Sequence, residues 1–186
     1  ARSGCAECLE FLDQQGCSLE GRWNDQSTAL HIAAGFGTPQ TILALIDLGA
    51  RIEPLDVDHR TPLLVAITQG HMKNVSVLLE KGANPDAQSM VGLSGLMLAN
   101  MTPRPRIVEI LLEAGATLEH VDINGYTALH WGAEFGNATC VKMLLEAGAD
   151  PETLTAQGVT PLELATQRGG TQGEAIRRVL HDTIPE

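Results

Sequence analysis

The stretch DINGYTALHWGAEFGNATCVKMLLEAGADPE (122–152) decides the fold. Thr127 stands before Ala128, an N-cap hydroxyl ahead of a good helix former. ALHWGAEF then predicts a short helix with Leu129 and the small Gly132 on one face. Gly136 ends it, where the chain needs a left-handed residue. Val141 and the pair Leu144-Leu145 form the single apolar stripe of a second helix. Gly148 caps that helix, and the following residues have turn chemistry. The unit reads helix, turn, helix, extended loop.

The same unit recurs along the chain every 33 residues. Gly16, Gly49, Gly82, Gly115 and Gly148 form one series, each followed by a small residue. Gly4, Gly37, Gly70, Gly136 and Gly169 form another, with Pro103 in the remaining place. Thr28, Thr61, Ser94, Thr127 and Thr160 keep step, as do Leu30, Leu63, Leu96, Leu129 and Leu162. Ala33, Ala66, Ala99, Gly132 and Ala165 follow in register. So many series holding one period mean a repeat architecture. Gly37 and its equivalents are expected in the left-handed conformation.

These residues resemble the ankyrin repeat, whose pattern is D-x-x-G-x-T-P-L-H-x-A-A followed by a second helix ending L-L-x-x-G-A-D. Residues 122–152 match it almost throughout, and DVDHRTPLLVAITQGHMKNVSVLLEKGANPD (56–86) nearly as well. The resemblance implies an all-α fold: an ankyrin-repeat solenoid of helix-turn-helix units with projecting β-hairpin-like finger loops. The expectation is one domain over 1–186, with an N-terminal half repeat (4–22) and repeats at 23–55, 56–88, 89–121 and 122–154. A capping repeat follows at 155–182. There, Ile176, Val179 and Leu180 keep the second-helix stripe if two residues are inserted near GGTQG (169–173), with Glu174, Arg177, Arg178 and His181 outward. Leu9, Phe11 and Leu12 supply the stripe of the half repeat, and 183–186 read as a frayed tail.

Composition narrows the function. The net charge of −11 disfavours nucleic acid, whose phosphates require clustered Lys and Arg. Apolar runs fall far short of the roughly 20 residues that span a bilayer, and no secretory signal is visible. Of the cysteines Cys5, Cys8, Cys17 and Cys140, the first two form C-x-x-C. A zinc site would need a second tight pair, which Cys17 and His31 do not make. Packing of two cysteines on one short helix is the plainer reading, and a reducing, intracellular setting, cytoplasmic or nuclear, fits.

No catalytic residue, metal ligand set or cofactor is expected. His31 and His130 hold the His of T-x-L-H, which the resemblance implies bonds to backbone in a neighbouring loop. No two histidines stand at i, i+4, and the glycine run at 169–173 lacks the Lys of a phosphate loop.

The resemblance places partner contacts on the loop tips and the exposed side of each first helix. Several of those positions are apolar here: Phe36, Met90, Val91, Leu93, Met101, Ile123, Tyr126 and Phe135, with Asp58 and Arg60 beside them. An exposed apolar strip marks an interaction surface, and aromatic residues are frequent anchors. Trp131 reads as packing, since its equivalents are Ile32, Val65, Leu98 and Leu164. Glu53, Asp56, Asp58, Glu119, Asp122 and Glu152 suggest an acidic rim and a partner segment carrying Lys or Arg. The third repeat departs from the pattern at Gly95, Met97, Asn100 and Pro103, and the turn at Pro103 should take its own path.

The expected function is a monomeric protein-interaction module, an adaptor or scaffold, with no nucleic acid and no membrane insertion. A regulatory or substrate-docking domain of a larger enzyme is the alternative. A nucleotide- or small-molecule-binding array would need cations beside aromatics, and only Arg60 and Arg168 qualify.

Overall fold

A computed structural model describes residues 18–102, 104–135 and 137–182. The expectations for the half repeat, Cys5, Cys8, Cys17, the turn at Pro103, Gly136 and the tail 183–186 lie outside the described residues. The chain divides into two compact units, Ala1–Met90 and Val91–Glu186.

In the first unit the helices are α1 (Ala29–Phe36), α2 (Pro39–Asp47), α3 (Pro62–Gln69) and α4 (Met72–Glu80). In the second they are α5 (Gly95–Met101), α6 (Pro105–Glu113), α7 (Ala128–Phe135), α8 (Ala138–Glu146), α9 (Pro161–Arg168) and α10 (Gly170–His181). All regular elements among the described residues are helical. Within each unit the first helices of successive repeats pack on one another, α1 on α3, and α5 and α9 on α7. The second helices form the other layer, α2 on α4, and α6 and α10 on α8.

The helices begin where the hydroxyl series predicts. Thr61, Ser94 and Thr160 accept from the N–H of Leu64, Met97 and Glu163 at 3.4, 3.4 and 3.2 Å. Each bond satisfies one of the donors that a helix start leaves open. The layer interface is aliphatic. Leu30, Leu63, Leu96 and Leu129 are buried, and so are Ile42, Val75, Val108 and Val141 from the second helices. Ala33, Ala66, Ala99 and Ala165 are buried at the close approach of first helices. This explains a core built with few aromatic rings: helices that approach closely leave no room for them.

The helices α2, α4, α6 and α8 end in Schellman motifs. Gly82 N–H donates to the Leu79 carbonyl at 3.0 Å, and Ala83 N–H to that of Leu78 at 2.9 Å, with Gly82 at φ +92°. Gly49, Gly115 and Gly148 repeat this geometry with positive φ. The first-helix ends differ from the expectation. Gly70 is left-handed at φ +77°, but Gly37 is extended at φ −89°, ψ −170°. Glycine is required at Gly37 for space, because a Cβ there would stand 2.7 Å from the Ala33 carbonyl oxygen. In the last repeat α10 buries Ile176 and Leu180 and exposes Glu174, Arg177, Arg178 and His181, as its stripe predicts.

Candidate protein-interaction surface

At 56–60 and 122–126, between one repeat's second helix and the next repeat's first, the chain makes a tight turn headed by a buried acid. Asp122 N–H donates to the Tyr126 carbonyl at 3.1 Å, and Gly125 N–H to that of Asp122 at 2.9 Å. Asp122 Oδ1 accepts the Asn124 and Tyr126 N–H groups at 2.8 and 3.0 Å. Asp56 holds its turn alike, through the Asp58 and Arg60 N–H groups at 2.9 and 2.8 Å. Neighbouring turns are tied tip to tip. Val57 N–H donates to the Asp25 carbonyl and Met90 N–H to that of Asp58, at 2.9 and 2.8 Å. In the second unit Ile123 N–H donates to Val91, and Ala156 N–H to Asn124, at 3.1 and 2.9 Å.

The T-x-L-H histidines connect α1 and α7 each to the turn that follows. His31 Nδ1 accepts the Thr28 N–H at 3.1 Å, so the proton sits on Nε2, which donates to the Arg60 carbonyl at 2.9 Å. His130 does the same between Thr127 N–H, at 3.2 Å, and the Val159 carbonyl, at 3.1 Å. Burial depresses the pKa of both rings, against the pull of those backbone bonds. Each ring is a neutral strut.

Several acids expected on a rim are structural. Asp56 and Asp122 are buried. Glu53 and Glu119 accept the Asn84 and Asp150 N–H groups at 3.1 and 3.0 Å, linking consecutive loops. Arg60 is engaged by Asp56 at 2.9 Å and Asp58 at 3.2 Å, which makes it part of the turn. Arg168 donates to the Glu134 main-chain carbonyl.

The apolar positions divide by exposure. In the first unit Phe36 is 75% exposed and Met90 60%. In the second unit Ile123, Val91 and Phe135 are exposed, whereas Leu93, Met101 and Tyr126 are half-buried. The expectation that Leu93, Met101 and Tyr126 stand substantially in solvent is therefore corrected: each packs part of its surface on the protein. Trp23, Val57, Val121 and Leu154 are exposed as well. Leu55, Val121 and Leu154 share one repeat position, the residue before the turn acid or its equivalent, a regularity visible in the sequence.

Trp131, expected to pack, does so. It is half-buried and central to a ladder of rings. Its centroid lies 5.4 Å from Tyr126 and 5.6 Å from Phe135, and Tyr126 lies 5.5 Å from His130. The indole N–H donates to Asp122 Oδ2 at 3.2 Å, so the turn acid also sets the ring's orientation. Burial chiefly, then the Glu134 and Asp122 carboxylates, raise the pKa of the Tyr126 hydroxyl. The ladder combines flat apolar faces with a negative field.

Reactive chemistry has less to work with. Cys140 is buried, and burial pushes its thiol up to about 11, far from the thiolate a nucleophile requires. Among the described residues no three His, Cys, Asp or Glu side chains are grouped as metal ligands. No helix among them is long and apolar enough to cross a membrane.

Helix pairs repeating every 33 residues, joined by acid-headed turns and histidine struts, define a helical repeat protein. A family model described as Ankyrin repeats (3 copies) matches residues 1–89 and again 96–184. The chain belongs to the ankyrin-repeat family, whose members are generally protein–protein interaction modules and typically non-catalytic. Comparison with the curated proteins returns no match.

Proposed function

We propose that the chain is an intracellular adaptor or scaffold module, monomeric by itself, that binds a segment of a partner protein. Val91, Ile123, Tyr126, Trp131 and Phe135 of the second unit supply the principal contacts. The observation carrying this reading is the ladder Tyr126–Trp131–Phe135, whose outer ring remains 42% exposed in a chain only 3% aromatic. Leaving rings in water does nothing for folding, and a partner that covers them gains the apolar area. Phe36 and Met90 are proposed as contacts of the first unit in their own right. Asp58 and Arg60 act there by holding the turn that carries Val57. The chain's net charge of −11 favours a partner segment with Lys or Arg.

A random-peptide display library selected on the intact chain tests this reading. Selected sequences should be competed by free wild-type protein and poorly by the Phe135→Ala variant. Equal competition by the two would remove the ladder as the site.

A further inference from the structure

We infer that the aromatic ladder receives the guanidinium of an arginine, stacked on Trp131 and Phe135 with the Glu134 carboxylate beside it. This rests on the proposed binding surface and names the side chain that surface selects.

Three features of the second unit converge on this. The rings form a contiguous face, with centroids 5.4 and 5.6 Å apart, and the Trp131 indole is fixed by its bond to Asp122. A cation over such faces is attracted by the ring quadrupoles, most strongly by Trp. The site is also negative. Glu134 is exposed, and its carboxylate has no hydrogen bond or ion pair among the described residues. Asp122 bonds the indole, and Glu134 follows Trp131 by three residues on α7, a spacing that makes them neighbours on the helix surface; after burial, both carboxylates raise the pKa of the Tyr126 hydroxyl. Finally, Glu134 and Phe135 occupy the C-terminal end of α7, where the helix dipole favours positive charge. One guanidinium already uses this end: Arg168 donates to the Glu134 carbonyl and leaves the carboxylate open.

Arginine fits better than lysine on physical grounds. A planar, weakly hydrated guanidinium stacks flat on a ring while its edge donates to a carboxylate. An ammonium must give up a tight hydration shell to approach the same face. The rings lose little entropy on binding, because packing and the Asp122 bond already restrict them.

Three fluorescein-labelled peptides test the inference on the full chain: Gly-Ser-Gly-Xaa-Gly-Xaa-Gly-Ser-Gly with Xaa as arginine, lysine or citrulline. Citrulline keeps the shape and removes the charge. Anisotropy titrations should show the arginine peptide binding about tenfold more tightly than the citrulline peptide, with lysine between. Trp131→Leu places the aliphatic residue of Leu98 and Leu164 at this position, so the fold is retained, and it should abolish the preference. Glu134→Gln should reduce it and weaken its salt dependence. Equal binding of the three peptides, no binding of the arginine peptide, or an unchanged preference in Trp131→Leu would each overturn the inference. A display-selected peptide that lacks arginine yet depends on Phe135 would overturn it while the proposed binding surface stands.

Discussion

Two residues of the second unit that break the repeat pattern do so together. Gly132 stands where four repeats have alanine, and Asn100 where Ala34, Ile67 and Ala133 stand in others. A Cβ on Gly132 would meet Val141 Cγ2 at 2.8 Å and Asn100 Oδ1 at 3.0 Å. Asn100 is fully buried, its Nδ2 donating to the Leu96 carbonyl at 2.7 Å while its Oδ1 has no donor among the described residues. The glycine makes room for the amide. Gly132→Ala should therefore destabilise the protein by about 1–3 kcal/mol. A double-mutant cycle with Asn100→Ala should show non-additivity, read from urea midpoints. Strictly additive midpoints would separate the two departures. Gly148→Val probes a different need. Among the described residues nothing lies within 4 Å of its Cβ position, so the positive φ is what resists substitution. A loss of about 1–3 kcal/mol is expected, and an unchanged melting temperature would refute the helix end placed there. Both departures were visible in the sequence, but their pairing was not, because a period reports equivalent positions and says nothing of which unequal ones touch.

At the scale of elements, the histidine struts make stability depend on pH. His31 and His130 have folded pKa values below the ordinary 6.5. The unfolded chain therefore takes up protons first as pH falls. Their contribution is complete above about 6.5 and is lost as pH drops from there toward the folded values. Glu53, raised by burial, works in the opposite sense in the carboxylate range. Urea unfolding should thus show greater stability at pH 7.5 than at 5.5, and His130→Asn should shrink the difference. A flat profile would mean the rings are not neutral struts. Helix positions, caps and struts were legible in the repeat because each serves a local bond that recurs. The conformation of Gly37 was not, because glycine answers two needs, positive φ and close approach, and the period does not tell them apart. The ladder was half legible. Tyr126 and Phe135 fall at positions that the family exposes, whereas the aliphatic equivalents of Trp131 show packing and no ring contact. Its bond to Asp122 joins a helix to a turn nine residues upstream, a contact set by backbone path.

For the whole molecule, the repeats provide a scaffold, and in the proposed reading the departures from them provide the specificity. The buried aliphatic series would serve any partner or none. The rings at Tyr126, Trp131 and Phe135, with Glu134 open beside them, are what distinguish this surface. The central claim is that Phe135 is displayed for a partner and is not needed for the fold. Titration calorimetry of a display-selected peptide against wild type and Phe135→Ala, with thermal melts of the same samples, tests it most directly. The account predicts binding weaker by about 2 kcal/mol, with stability changed by no more than about 0.5 kcal/mol. A large loss of stability with undiminished affinity would contradict it and return Phe135 to the core.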